Sequence, residues 1–81
     1  MGIELTLISR GYCHLCHDME VALEPLAAEF GATVNVVDVD ADPVLESRYD
    51  ELVPVLLHGE TELCHYFLDE PKTREYLAEI R

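Results

Sequence analysis

Basic residues are scarce in this chain. Five Lys and Arg stand against 17 Asp and Glu, a formal net charge of -12 over 81 residues. A surface of that sign repels phosphate backbones and anionic bilayers, so neither nucleic acid nor membrane is an expected partner. Long apolar runs are also missing. No segment approaches the roughly 20 apolar residues that span a bilayer. The opening Met1-Gly2-Ile3-Glu4 has no basic n-region and leads into no signal-peptide apolar run. Cysteine is sparse and odd in number, three in all, which does not suit a secreted disulfide framework. These absences point to a reducing, cytoplasmic setting. No repeat, linker or low-complexity stretch breaks the sequence, so residues 1–81 read as one domain. At 49% hydrophobic residues the chain can fill one small core. A domain this short buries only about 60% of its unfolded surface.

The pattern of apolar positions gives an order of elements. Ile3 to Ile8 alternates apolar residues with Glu4 and Thr6, as a strand does. Ser9 to Tyr12 is a loop. From about His14 to Phe30, Leu15, Met19, Leu23, Leu26 and Phe30 recur at helical steps, and Gly31 follows as a stop signal. Pro25 lies inside this run and predicts a kink or local opening around Val21 to Pro25. Val34 to Val39 is a second strand. Asp42 and Pro43 open a short helix carrying Val44, Leu45 and Tyr49. Val53 to Leu57 and Glu62 to Phe67 are strands joined by a turn at His58-Gly59-Glu60. Asp69 caps a last helix with Tyr76, Leu77 and Ile80 on its apolar side. The order is β-α-β-α-β-β-α: a right-handed parallel βαβ unit followed by a hairpin. The expected product is an α/β fold, a four-stranded mixed sheet with three flanking helices on both faces.

One motif carries chemistry. Cys13-His14-Leu15-Cys16 is a C-x-x-C between a strand and a helix. Two thiols at this spacing can share one reaction: the first attacks, and the second closes a ring with it. The first would sit at a helix N-terminus, where unpaired N–H groups and the helix dipole favour a thiolate, the nucleophilic form. His14 and His17 are plain solvent-facing residues or modulators of that thiolate; His17, four residues after Cys13, can face it.

The element order, the C-x-x-C at the start of the first helix, and Val53-Pro54 opening the third strand together resemble the thioredoxin fold. In its short form the chain is similar to a glutaredoxin over essentially its whole length. The resemblance implies that Pro54 is cis and faces the dithiol, and that the backbone of Val53 pairs with the substrate cysteine. It places Arg10 where glutaredoxins often carry a lysine that binds a glutathione carboxylate. The chain also departs from that pattern. His14 stands where proline is common, and Leu52 where threonine is common. Phe67-Leu68-Asp69-Glu70 replaces a Gly-Gly turn that contacts glutathione.

The resulting expectation is a thiol–disulfide oxidoreductase with Cys13 as nucleophile, Cys16 as resolving thiol, and Arg10, Val53 and Pro54 as substrate-binding residues. It would act as a monomer on a disulfide-containing protein or a small thiol. It needs no cofactor beyond its own disulfide, with glutathione as a candidate co-substrate, and no metal. The alternative is a redox-sensing, metal-binding or iron–sulfur module of the same fold. Cys13 to His17 also matches the C-x-x-C-H haem pattern, but a β-rich middle does not suit an all-helical haem fold. Zinc could draw on Cys13, Cys16 and His17 with Cys64 or His65, although no second paired knuckle is present.

Overall fold

The computed structural model describes residues 2–11 and 13–80; Met1, Tyr12 and Arg81 lie outside the described residues. The chain forms β1 (Ile3–Ser9), α1 (His14–Phe30), β2 (Ala32–Asp38), a 3-10 turn (Val39–Ala41), α2 (Pro43–Tyr49), β3 (Val55–His58), β4 (Thr61–His65) and α3 (Glu70–Ile80). The sheet order is β2-β1-β3-β4. Strands β1 and β2 run parallel, with Leu5 opposite Val34 and Ser9 opposite Asp38. The pairs β1/β3 and β3/β4 are antiparallel. This is the arrangement that the resemblance implies.

Alternation along β1 explains the two layers. Leu5 and Leu7 point to one face, where they meet Met19, Leu23 and Leu26 of α1, Leu56 of β3 and Leu77 of α3. Ile8 points to the other face and packs with Val39, Tyr49, Val55 and Leu57. Burying each such side chain contributes about 1.5–3 kcal/mol. Arg74 ties the two helices of the first face together: it pairs with Glu29 of α1, and with Glu70 one turn back at 3.2 Å.

Several boundaries differ from the sequence expectation. Helix α1 runs unbroken through Pro25. Pro25 lies on the exposed face with Val21, so the one carbonyl it deprives of a donor sits where water can serve it. Strand β2 stops at Asp38, and Val39 opens the 3-10 turn with its side chain 0% exposed. Strand β3 begins at Val55, after the proline that cannot donate to a ladder, and β4 stops before Tyr66, which takes φ 65°. Gly59 has φ 62°, the positive angle that the two-residue turn into β4 requires. On α2, Val44 is 63% exposed and Tyr49 carries the burial. On α3, Leu77 is buried as expected, but Ile80 is exposed and Thr73 takes its place in the core.

Thr73 is 0% exposed, and its hydroxyl has no hydrogen-bond partner among the described residues. Thr73→Val is therefore expected to raise stability by about 1 kcal/mol, because it removes an unsatisfied polar group at constant shape. Leu23→Ala, which opens a cavity between α1 and the sheet, is expected to cost about 2–5 kcal/mol. Urea unfolding midpoints measure both, and a destabilised Thr73→Val would show that the hydroxyl has a partner.

Candidate active site

The site forms where β1 ends. A loop from Arg10 to Cys13 links β1 to α1, and Cys13 N–H donates to Arg10 C=O at 3.1 Å to close it. Cys13 is the N-cap of α1, in extended backbone geometry (φ -100°, ψ 119°). Its sulfur fills the role that a hydroxyl or carboxylate oxygen fills at other helix starts. Cys16 N–H donates to Cys13 Sγ at 3.3 Å. The helix continues from there, with His17 N–H bonded to Cys13 C=O at 3.2 Å. Of the first-turn donors that an α-helix leaves without an intrahelical partner, the Cys16 N–H is the one that meets Cys13 Sγ.

The two cysteines differ in environment. Cys13 is half-buried, whereas Cys16 is 2% exposed. Arg10 N–H donates to Cys16 Sγ at 3.4 Å. Burial pushes the Cys16 thiol above its ordinary range, and the neighbouring Cys13 sulfur adds to that; the Arg10 amide and the Ser9 hydroxyl oppose it.

The Val53–Pro54 bond is cis. The register, with Val55 opposite Ile8, sets Pro54 beside the end of β1, where the cysteine loop begins. Pro54 is buried, and its carbonyl accepts from Tyr66 N–H at 2.9 Å. Val53 packs against the Ile8–Tyr49 side of the core. His14 and His17 are both exposed, and His17 lines a groove with Val21, Glu24 and Val36.

The Arg10 guanidinium is turned onto two carboxylates. Nε and Nη2 donate to the two oxygens of Asp40 at 3.1 and 3.0 Å, and Nη2 also pairs with Asp50. These contacts, Asp40 first, raise the pKa of the guanidinium further. An anionic substrate would meet Arg10 only in competition with them. Sequence reasoning missed both partners. Asp40 and Asp50 lie 30 and 40 residues from Arg10, and nothing local in either segment signals the pairing.

A cavity of about 240 Å³ is lined by Leu15, Asp18, Met19 and Ala22 of α1 and by Tyr66, Phe67 and Leu68. Phe67 is 68% exposed. Asp69 does cap α3: its side chain accepts from Lys72 N–H at 3.2 Å. Cys64 is buried on β4 opposite Leu56, within the core. Among the described residues, no three His, Cys, Asp or Glu side chains are grouped so as to hold a metal ion, and no helix is long and apolar enough to cross a membrane.

The family profile described as Glutaredoxin-like domain (DUF836) matches residues 4–78. The chain belongs to this family. Protein Ne2328 from Nitrosomonas europaea is 33% identical to this glutaredoxin-like domain, with a TM-score of 0.82 over 94% of this chain and 92% of that one. Protein XcR50 from X. campestris is 37% identical, with a TM-score of 0.67 over 93% of this chain and 96% of that one. NrdH-redoxin from Escherichia coli shares the fold at 18% identity, with a TM-score of 0.59 over 98% of this chain and 96% of that one. No curated protein matches the chain. The glutaredoxin-like domain has the thioredoxin fold, with its close Cys13–Cys16 pair at the start of α1.

The raised Cys16 pKa carries a pH dependence of known sign. In the reduced folded protein Cys16 keeps its proton to higher pH than in the unfolded chain. As pH rises through the alkaline range above the ordinary thiol value, the unfolded chain binds fewer protons and stability falls. Urea midpoints of reduced protein are expected to drop over that range, and Cys16→Ala is expected to remove part of the slope. An identical slope in the variant would contradict the assignment.

Proposed function

We propose that this glutaredoxin-like domain is a thiol–disulfide oxidoreductase. The observation that carries the reading is the asymmetry of the pair: Cys13 is accessible and receives the Cys16 N–H, while Cys16 lies buried behind it. Cys13, as thiolate, attacks one sulfur of a substrate disulfide. The substrate S–S bond breaks, the distal sulfur leaves as a thiolate and takes up a proton, and a mixed disulfide to Cys13 forms. Cys16 then loses its proton and attacks Cys13 Sγ. The second substrate sulfur leaves and is protonated, and the Cys13–Cys16 disulfide forms. Two electrons have passed from the dithiol to the substrate.

In this reading the Val53 backbone and Pro54 hold the substrate chain beside Cys13. The substrate is a disulfide-containing protein or small thiol, the protein works as a monomer in the cytoplasm, and no metal or bound cofactor is needed. Arg10 supports substrate binding to the extent that it can exchange Asp40 or Asp50 for a substrate carboxylate. His14 and His17 act on Cys13 only from solvent. Glutathione is a poor substrate in this account. The Gly-Gly turn is replaced by Phe67-Leu68-Asp69-Glu70, and the two exposed carboxylates repel an anionic peptide.

Cys16→Ser is expected to accumulate mixed disulfides with substrate in cell extract, and Cys13→Ser to accumulate none, as read by non-reducing electrophoresis and mass spectrometry. Equal trapping by both variants would falsify the assigned roles. A second expectation concerns glutathione. Asp69→Asn/Glu70→Gln keeps the helix cap and removes both charges, and should raise glutathione-coupled turnover on the order of fivefold, the effect of about 1 kcal/mol of like-charge repulsion. High wild-type turnover that the double substitution leaves unchanged would return the protein to ordinary glutathione chemistry.

A further inference from the structure

The Arg10 peptide is held from three directions. Its N–H donates to Cys16 Sγ, its carbonyl accepts from Cys13 N–H, and its side chain is gripped by Asp40 and Asp50. Each carboxylate is itself fixed by a different element. Asp40 sits in the 3-10 turn after β2, where its own N–H donates to Asp38 Oδ1 at 2.8 Å and the adjacent Val39 is fully buried. Asp50 caps the C-terminus of α2, with its N–H on Glu46 C=O at 3.0 Å. A bidentate Arg–carboxylate fork has one preferred geometry, so it transmits position as well as charge.

We propose that Asp40 and Asp50 are positioning residues for the resolving cysteine: by gripping the Arg10 side chain they hold the Arg10 backbone amide on Cys16 Sγ. The inference rests on the thiol–disulfide exchange proposed above and concerns its second step. In that step Cys16 gives its proton to solvent and its thiolate attacks Cys13 Sγ. The Cys13–substrate bond breaks, the Cys13–Cys16 bond forms, and the substrate sulfur leaves with its electron pair and is protonated. The substrate disulfide is the oxidant. Cys16 must therefore ionise inside a buried site, which desolvation opposes. The groups that face its sulfur are the Ser9 hydroxyl and the Arg10 amide from the end of β1 and Cys13 from the start of α1. Asp40 and Asp50 act only through Arg10. An amide donor aimed at the sulfur favours the thiolate, and its aim depends on a short loop that the clamp anchors to β2 and α2.

The sign of the effect separates this role from simple charge. Removing two carboxylates near a thiol, and freeing an arginine, makes the thiolate easier to form if only charge matters. Loosening the amide makes it harder. The test is the alkaline titration of Cys16, followed by thiolate absorbance, in Cys13→Ser/Cys64→Ala protein with and without Asp40→Ala/Asp50→Ala. The expected result is a rise of about half a pH unit in the Cys16 midpoint. The thiolate fraction at neutral pH then falls about threefold. The greater nucleophilicity of a more basic thiolate recovers part of this, leaving resolution about twofold slower. Arg10→Lys, which cannot form the fork, should also raise the Cys16 midpoint. If the Ala pair fails to fold, Asp40→Asn/Asp50→Asn supplies the same comparison. An unchanged or lowered midpoint overturns the proposal. Absence of any mixed disulfide in otherwise intact protein would instead overturn the exchange reading, and the titration would still decide the clamp.

Discussion

Burial of β1 on both of its faces is the constraint on which the rest of this structure depends. Leu5 and Leu7 are closed over by α1 and α3, and Ile8 by the α2 side, so the strand cannot slip by one residue without turning its apolar set to the wrong layer. That register fixes where the strand ends. Ser9 lies opposite Asp38 on one side, and the cis Val53–Pro54 bond lies just before the Ile8–Val55 pair on the other. The cysteine loop, the turn bearing Asp40 and the proline loop therefore meet at one end of the sheet. Sites in open α/β sheets form at the carboxyl ends of parallel strands for this reason.

The chain is strongly acidic, yet the groups set against the two sulfurs are backbone donors and the neutral Ser9 hydroxyl. The N–H of Cys16 faces Cys13, and the N–H of Arg10 faces Cys16. Backbone dipoles held by a rigid helix start and a short loop act at close range, whereas the carboxylates of the exposed surface are screened by water and salt. The net charge of -12 therefore bears on which partners approach the protein more than on what the sulfurs do once a partner has docked. The nearby arginine, which would otherwise offer the site a mobile positive charge, is held by Asp40 and Asp50.

The parts of the fold that were legible in the sequence are those fixed by local periodicity. The alternation from Ile3 to Ile8, the helical stripe through Met19, Leu23 and Leu26, the Asp42-Pro43 helix start and the Gly59 turn all express short-range geometry, and each appears near its expected place. The C-x-x-C was legible for the same reason, since its chemistry depends on spacing within one helical turn. Pro25 misled because its effect depends on which face it occupies, and it occupies the wet one. Val44 and Ile80 misled because an apolar residue at a helical position still needs a neighbour to cover it. Thr73 was invisible as a core residue, since its hydroxyl marks it as polar while its shape is that of valine. The Arg10 clamp joins positions far apart in the chain, and only the tertiary fold brings them together.

The central claim is that Cys13 and Cys16 form one reversible redox couple. The most direct measurement equilibrates the protein in thiol–disulfide buffers of stepped potential and maps the disulfide by mass spectrometry after acid quenching. The account predicts a single two-electron transition, with the bond between Cys13 and Cys16, with Cys64 remaining a thiol throughout, and with the transition absent from Cys13→Ser and Cys16→Ser proteins. A disulfide that maps to Cys64, or a pair that stays reduced across the whole buffer range, would contradict it.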